Sequence, residues 1–281
     1  MSKSKINNLP KQTVELEIDI PWKEIETTYD EFLNSLVKDA EIQGFRKGKA
    51  PKNLVEEKID KNKLYEEVIR KIVPKAYAEA VKEHALQPVI SPKIEILKAK
   101  TGEDWQIKAT IALKPKINLK NYKAKIEEAR KSKVKLWTPG QDKEKKDEKL
   151  TMDEIVKTLL EEIEVELSDE LVKNETNRLL SDLIDQTRQV GLTVEQYLIS
   201  KGKTNEQLRA EYAISAKNNL SLEFALMEIA DVEKITVAKE DIEKLISKVE
   251  NPEEKAKLAR DTYYLAHLIR QQKTIDFLNT L

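Results

Sequence analysis

Residues 41–54 read EIQGFRKGKAPKNL, and the chemistry concentrated in them is that of binding. Gly44-Phe45-Arg46-Lys47-Gly48 sets one large apolar ring and two cations between glycines, with Lys49, Ala50 and Pro51 behind them. Glycines at both ends let the backbone take positive φ and reverse tightly. The tip is then turned outward, where a ring has little access to its own core and calls for a partner to cover it. Arg46 offers a planar fork that fits a carboxylate or a phosphate, and Lys47 and Lys49 add point charges. An aromatic beside an arginine is the composition in which binding hot spots are enriched. The competing reading folds Phe45 back beneath its own loop as a core residue.

Other chemistry is sparse. The two histidines, His84 and His267, stand far apart on predicted helices, with no H-x-x-x-H or E-x-x-H pattern around either, so no metal site is expected. Cysteine is absent, which excludes disulfides and thiolate catalysis. Six glycines in 281 residues leave no room for a Gly-rich phosphate cradle, and no G-x-S-x-G or dinucleotide-binding pattern occurs. Carboxylates are abundant, but on helical faces they are ordinarily solvated and paired. No catalytic residue and no cofactor is expected.

The elements that must carry the tip follow from hydrophobic periodicity. QTVELEIDI, residues 12–20, alternates apolar and polar and predicts a half-buried strand. Pro21 opens a helix running from Trp22 to about Ile42, and the glycine-bracketed turn ends it. Pro51 starts a short helix, and a longer one spans about Lys63 to His84, with a kink or break expected at Pro74. KIEILKAK and DWQIKATIALKP are two strands about the turn TGED. The first domain, 1–125, is thus expected to be α+β, a three-stranded antiparallel sheet with helices. Residues 118–137 suggest extended chain on its surface, and 126–150 an exposed, charged linker. Residues 151–281 are expected to form an elongated all-α domain. Its helix starts are marked by Thr151 to Glu154, Thr193 to Gln196 and Thr204 to Gln207, and Pro252 is expected to begin a last helix reaching the C-terminus.

Charged residues make up 36% of the chain and aromatics 5%, which favours long solvated helices over a large sheet enzyme. The net charge of −1 divides unevenly, +6 over 1–125, +2 over 126–150 and −9 over 151–281, so the front half is the one expected to face a polyanion. The N-terminus has no apolar stretch of the kind that starts a signal peptide, and no apolar run approaches the roughly 20 residues of a membrane span, so a cytoplasmic protein without a membrane partner is expected.

With this order of elements in place, GFRKGKAP at 44–51 resembles the signature loop of the trigger factor family, bacterial ribosome-associated chaperones. LPKQTVELEIDIPWKEIE resembles that family's first strand and helix, and VISPKIEILKAKTGEDWQIKATIALKPKINL the hairpin that closes its ribosome-binding domain. IEVELSDELVKNETNRLL resembles the opening of its helical chaperone domain. The resemblance implies that Phe45, Arg46 and Lys47, supported by Gly44, Gly48 and Lys49, dock on the large ribosomal subunit beside the nascent-chain exit, on protein and rRNA. Family members usually carry a prolyl isomerase domain of the FK506-binding type between these parts. Only 25 residues separate Lys125 from Thr151 here, so isomerase activity is not carried over.

The helical half supplies apolar candidates for holding unfolded or nascent chains: Leu179, Leu183, Val190, Tyr197, Ile214, Leu222, Phe224, Leu226, Tyr263, Tyr264 and Phe277. Weak, non-directional apolar contacts suit a site that clients must leave. The reading is an ATP-independent, ribosome-docked holdase. The alternative is an RNA-binding or ribosome-assembly factor using the basic front half, and a homodimer off the ribosome stays open.

Overall fold

Every second side chain of β2 (Thr13–Ile20) turns inward, and Val14, Leu16, Ile18 and Ile20 are all buried. β4 (Trp105–Ala112) lies antiparallel to it, with Leu16 opposite Ala109, Ile18 opposite Ile107 and Ile20 opposite Trp105. Paired residues share a face, so the two strands present one apolar surface. β3 (Lys93–Lys98) pairs with the other side of β4 and completes the expected hairpin. The computed structural model describes residues 3–134, 150–247, 255 and 258–281, which group into two compact units, Met1–Lys114 and Pro115–Leu281.

The sheet has four strands, where the sequence suggested three. β1 (Lys3–Leu9) pairs antiparallel with β2, Ile6 opposite Leu16, giving the order β1-β2-β4-β3. The turn between them is Pro10-Lys11-Gln12, in which Lys11 and Gln12 take φ of +57° and +51°. Hairpin reversals ordinarily recruit Gly, Asn or Asp for that left-handed backbone, so this one carries no recognisable turn signature.

α1 (Trp22–Asp39) begins behind Pro21, and its Trp22 N–H donates to Asp104 Oδ1 at 2.8 Å, tying the helix start to the β3–β4 turn. α2 (Lys52–Lys58) is short, and α3 (Lys61–Glu83) is capped by the Asp60 carboxylate. α3 runs through Pro74 without the break expected there. Proline in a helix costs about 3 kcal/mol. Val68, Ile72, Val73, Ala76 and Ala80 all lie in the core against the sheet, and burial is worth about 1.5–3 kcal/mol for each large side chain, enough to offset it.

The second unit starts earlier than expected. β5 (Lys116–Asn118) pairs with β6 (Glu164–Glu166), Ile117 opposite Val165, so the helical half carries a small sheet and is not purely α. α4 (Tyr122–Val134) occupies most of the stretch expected to be extended, and the boundary placed at 125 falls inside it. Tyr122 and Ile126 are buried in one cluster with Leu150, Ile155, Leu159, Ile229 and Leu278. The stretch is therefore a helix anchored in the core through Tyr122 and Ile126; 135–149 lie outside the described residues. Further helices among the described residues include α5 (Met152–Glu162), α6 (Asp169–Gln189), α7 (Val194–Lys201), α8 (Asn205–Val232), α9 (Lys239–Ser247) and α10 (Thr262–Leu278). The three expected capping boxes form at Thr151/Glu154, Thr193/Gln196 and Thr204/Gln207. Pro252 lies outside the described residues; α10 starts afresh at Thr262, where Asp261 Oδ1 accepts from the Tyr264 N–H at 3.1 Å.

The revised boundary redraws the charge. Lys116, Lys120, Lys123 and Lys125 belong to the second unit, so Met1–Lys114 carries +2 and Pro115–Leu281 −3. The asymmetry that favoured a nucleic-acid reading of the whole front half is mostly removed. The cations of the 44–52 stretch stand out locally instead.

Candidate functional site

The loop 40–51 joins α1 to α2 through two successive β-turns. Phe45 N–H donates to Ile42 O at 2.9 Å, and Lys49 N–H donates to Arg46 O at 2.9 Å. Each turn has glycine at its third position, Gly44 with φ +91° and Gly48 with φ +73°. Positive φ at that position is the requirement of a type II turn, and glycine meets it without strain. The two glycines are not equivalent. A Cβ on Gly44 would meet nothing within 4 Å, whereas a Cβ on Gly48 would stand 2.7 Å from Lys38 O. Gly48 N–H also donates to Ala40 O at 3.2 Å and so closes the base of the loop.

Phe45, Arg46 and Lys47 project from this frame. Phe45 is 43% exposed, which decides against the reading that folds it under the loop. Arg46, Lys47 and Lys49 are exposed as well. Lys47 Nζ lies 3.8 Å from Glu41 Oε1, with both side chains solvated. Exposed pairs of this kind contribute at most about 1 kcal/mol and exchange readily for a stronger anionic partner. Ala50 behind the tip is buried, and Pro51 caps α2, so the loop's outward side chains stand on a fixed stem. The six residues expected at the tip thus come together, with the ring and the cations outward and the glycines in the turns.

The helical candidates divide. Ile214 (65% exposed), Tyr263 (88%) and Tyr264 (52%) are open to solvent. Leu179, Tyr197 and Phe277 are half-buried. Leu183 and Phe224 are buried and do not line a surface: Leu183 packs with Leu198 and Leu208 where α6, α7 and α8 meet, and Phe224 lies on the inward side of α8. Ile199, 80% exposed on α7, and Leu192, 45% exposed ahead of it, were not among the expected residues. The sequence signal for Ile199 is an apolar residue off the stripe of a short helix. Tyr263, Ala266 and Arg270 of α10 and Leu226, Met227 and Ala230 of α8 line a cavity of about 200 Å³ in this unit.

One Ser–His contact occurs where sequence spacing gave no hint of it. Ser4 Oγ donates to Glu83 Oε2 at 2.6 Å and lies 2.9 Å from His84 Nε2. In a nucleophilic triad the imidazole takes the serine proton and the carboxylate orients the far ring nitrogen. Here the hydroxyl proton goes to the carboxylate, so the contact ties β1 to the end of α3. Among the described residues, no group of three or more His, Cys, Asp or Glu side chains is placed to hold a metal ion, and no helix is long and apolar enough to cross a membrane.

Two family matches cover the chain. Residues 2–137 match the family described as bacterial trigger factor protein, and residues 120–280 match the bacterial trigger factor C-terminus. The chain belongs to the trigger factor family. The two matches overlap at 120–137 and leave no unassigned stretch between them. The trigger factor of Moorella thermoacetica is 38% identical over 120 residues, 43% of this chain and 27% of that protein. Those of Desulforamulus reducens and Staphylococcus carnosus are 36% and 33% identical over 121 and 108 residues, 43% and 38% of this chain. The chain therefore spans about a quarter of the length of these curated trigger factors, 28% and 24% for the latter two. A solved structure titled "Promiscuous Substrate Recognition in Folding and Assembly Activities of the Trigger Factor Chaperone" superposes with a TM-score of 0.64 over 99% of both chains, at 12% identity, a likeness of fold.

Proposed function

We propose that this chain is an ATP-independent chaperone of the cytoplasm that docks on the large ribosomal subunit near the nascent-chain exit and holds unfolded or nascent polypeptides. The 44–48 tip carries the reading: two glycine-centred turns hold an exposed ring and two solvated cations outward. That combination suits a surface offering both apolar protein contacts and anionic groups, as the ribosome does. Membership of the trigger factor family supports the same assignment. The exposed Ile199, Ile214, Tyr263 and Tyr264 are the residues assigned to clients. Prolyl isomerase activity is left out of the proposal, because the two matched regions run into each other with no independent domain between.

Co-sedimentation with ribosomes over a salt series tests the docking half. The chain should bind, and binding should weaken as salt rises because Arg46 and Lys47 are charge contacts. Suppression of aggregation of a denatured protein, run beside a proline-peptide isomerisation assay, tests the rest. Isomerisation of the peptide much faster than the tens to hundreds of seconds it takes uncatalysed would overturn the non-enzymatic reading.

A further inference from the structure

The tip is held from behind by two polar ties between α1 and α2. Tyr29 OH donates to Glu56 Oε1 at 2.8 Å, and Lys52 Nζ donates to Asp30 Oδ1 at 2.7 Å. Both acceptors or donors on α2 sit within its seven residues, and α2 starts directly behind the loop, with Pro51 at its N-cap. Tyr29 is itself fixed. Its ring lies 5.2 Å from that of Tyr65 on α3, which lies 5.9 Å from Trp105 on β4, so an aromatic row links the hydroxyl to the sheet. Burial, with the Glu56 carboxylate beside it, pushes the Tyr29 hydroxyl up from its ordinary range, so it remains a donor throughout the physiological range.

Only Lys49, Ala50 and Pro51 connect α2 to Gly48, and Gly48 is tied to the end of α1 by its hydrogen bond to Ala40 O at 3.2 Å, with Lys38 O 2.7 Å from where a Cβ would stand. A displacement of α2 along α1 is therefore passed to Gly48, to its hydrogen bond with Ala40 O, and to the turn that carries Arg46 and Lys47. A seven-residue helix with one fully buried apolar side chain, Val55, has little else to hold its position.

We propose that Tyr29 and Glu56, with Asp30 and Lys52 beside them, are positioning residues for the tip: they fix α2 on α1 and so keep Phe45, Arg46 and Lys47 in one docking geometry. The inference rests on the docking reading for its consequence at the ribosome, and on geometry alone for the state of the loop.

The experiment uses the full chain and reads both. Tyr29→Phe keeps the aromatic row and removes only the donor; Glu56→Ala removes the acceptor; Glu56→Gln keeps an acceptor oxygen. Limited trypsin digestion followed by mass spectrometry measures cleavage after Arg46 and Lys47. Tyr29→Phe and Glu56→Ala should each raise that cleavage several-fold, with Glu56→Gln at the parent rate and the thermal midpoint of all three within a few degrees of the parent. Affinity for purified large ribosomal subunits should fall three- to tenfold in the first two variants, with the parent's salt slope, because the charge contacts themselves remain. Parent-rate cleavage in both Tyr29→Phe and Glu56→Ala would overturn the proposal. Faster cleavage with parental ribosome affinity would also overturn it, since the tip would dock without being held. A parent-like result for the combined alanine variant of Phe45, Arg46 and Lys47 would instead sink the docking reading, and the cleavage rates would still decide whether the ties hold the tip.

Discussion

The chain exposes large apolar side chains in two ways. In the first unit Ile96 and Leu97 are exposed on strand β3, but the ring of Phe45 is set between glycines on a loop closed at its base and flanked by cations. In the second, Val190, Ile199, Ile214 and Tyr263 are more exposed than Phe45, each on or at the end of a helix. A mixed apolar and cationic tip on a loop closed at its base suits a directional contact with one partner. Scattered apolar residues on helical faces give contacts that no particular sequence must satisfy. The difference teaches that exposure alone does not identify a docking site; the backbone that holds the residue does.

The comparison breaks first at the tip. Replacing Phe45, Arg46 and Lys47 together by alanine should abolish ribosome co-sedimentation, a loss well over tenfold given about 2 kcal/mol or more for each hot-spot truncation, with the fold intact by circular dichroism. Parental binding would reduce the turn to a simple chain reversal.

A second test sets buried against exposed residues in the helical half. Leu183→Ala and Phe224→Ala should cost about 2–5 kcal/mol in chemical denaturation, because both sit in packed interiors. Combined Ile199→Ser, Ile214→Ser and Tyr263→Ser changes should cost little stability and reduce aggregation suppression. Equal loss of stability in both sets would erase the distinction between core and surface.

Within the tip, Gly48→Ala should be more damaging than Gly44→Ala. Both place a side chain at positive φ, worth roughly 1–2 kcal/mol, but only the former meets a backbone oxygen. Hydrogen exchange of loop amides should rise in the Gly48 variant and change less in the other.

The smallest effect concerns α4. Glu233 accepts from Tyr122 OH at 2.8 Å and pairs with Lys123 Nζ at 2.7 Å. The Lys123 ammonium and the Tyr122 hydroxyl hold its carboxyl below the usual carboxylate range. A depressed folded-state value means that this contribution is fully present above the ordinary range near pH 4.3 and is lost as pH falls through the lower folded value. Glu233→Gln should therefore lower the thermal midpoint slightly at pH 7 and flatten its decline between pH 5 and 3. An unchanged pH profile would show that Tyr122 and Ile126 anchor α4 by packing alone.

Legibility in the sequence followed the range of the forces involved. The tip was readable because two glycines and their spacing encode a turn locally, and the capping boxes were readable for the same reason. β1 was hidden because Lys11 and Gln12 adopt a backbone normally left to glycine or asparagine. α4 was hidden because Tyr122, Ile126 and Ala129 form a short stripe amid lysines and glutamates, and only the cluster it shares with α5, α8 and α10 gives it a core. Pro74 was misjudged because a local rule lost to burial of the whole helix. The apolar candidates of the helical half could not be sorted, since Leu183 and Val190 differ only in what the fold places over them.

The pairing of β5 with β6 has a topological consequence. It joins residues 116–118 to 164–166, and Ile126 and Leu150 return to the same cluster from either side of 135–149. The chain before and after that stretch is therefore held in one cluster by contacts among described residues. Lengthening a flexible connection between two held points costs only about 0.6 kcal/mol for each doubling. Residues added between Ile126 and Leu150 would leave the β5–β6 pairing and the cluster around those two side chains in place at little entropic cost.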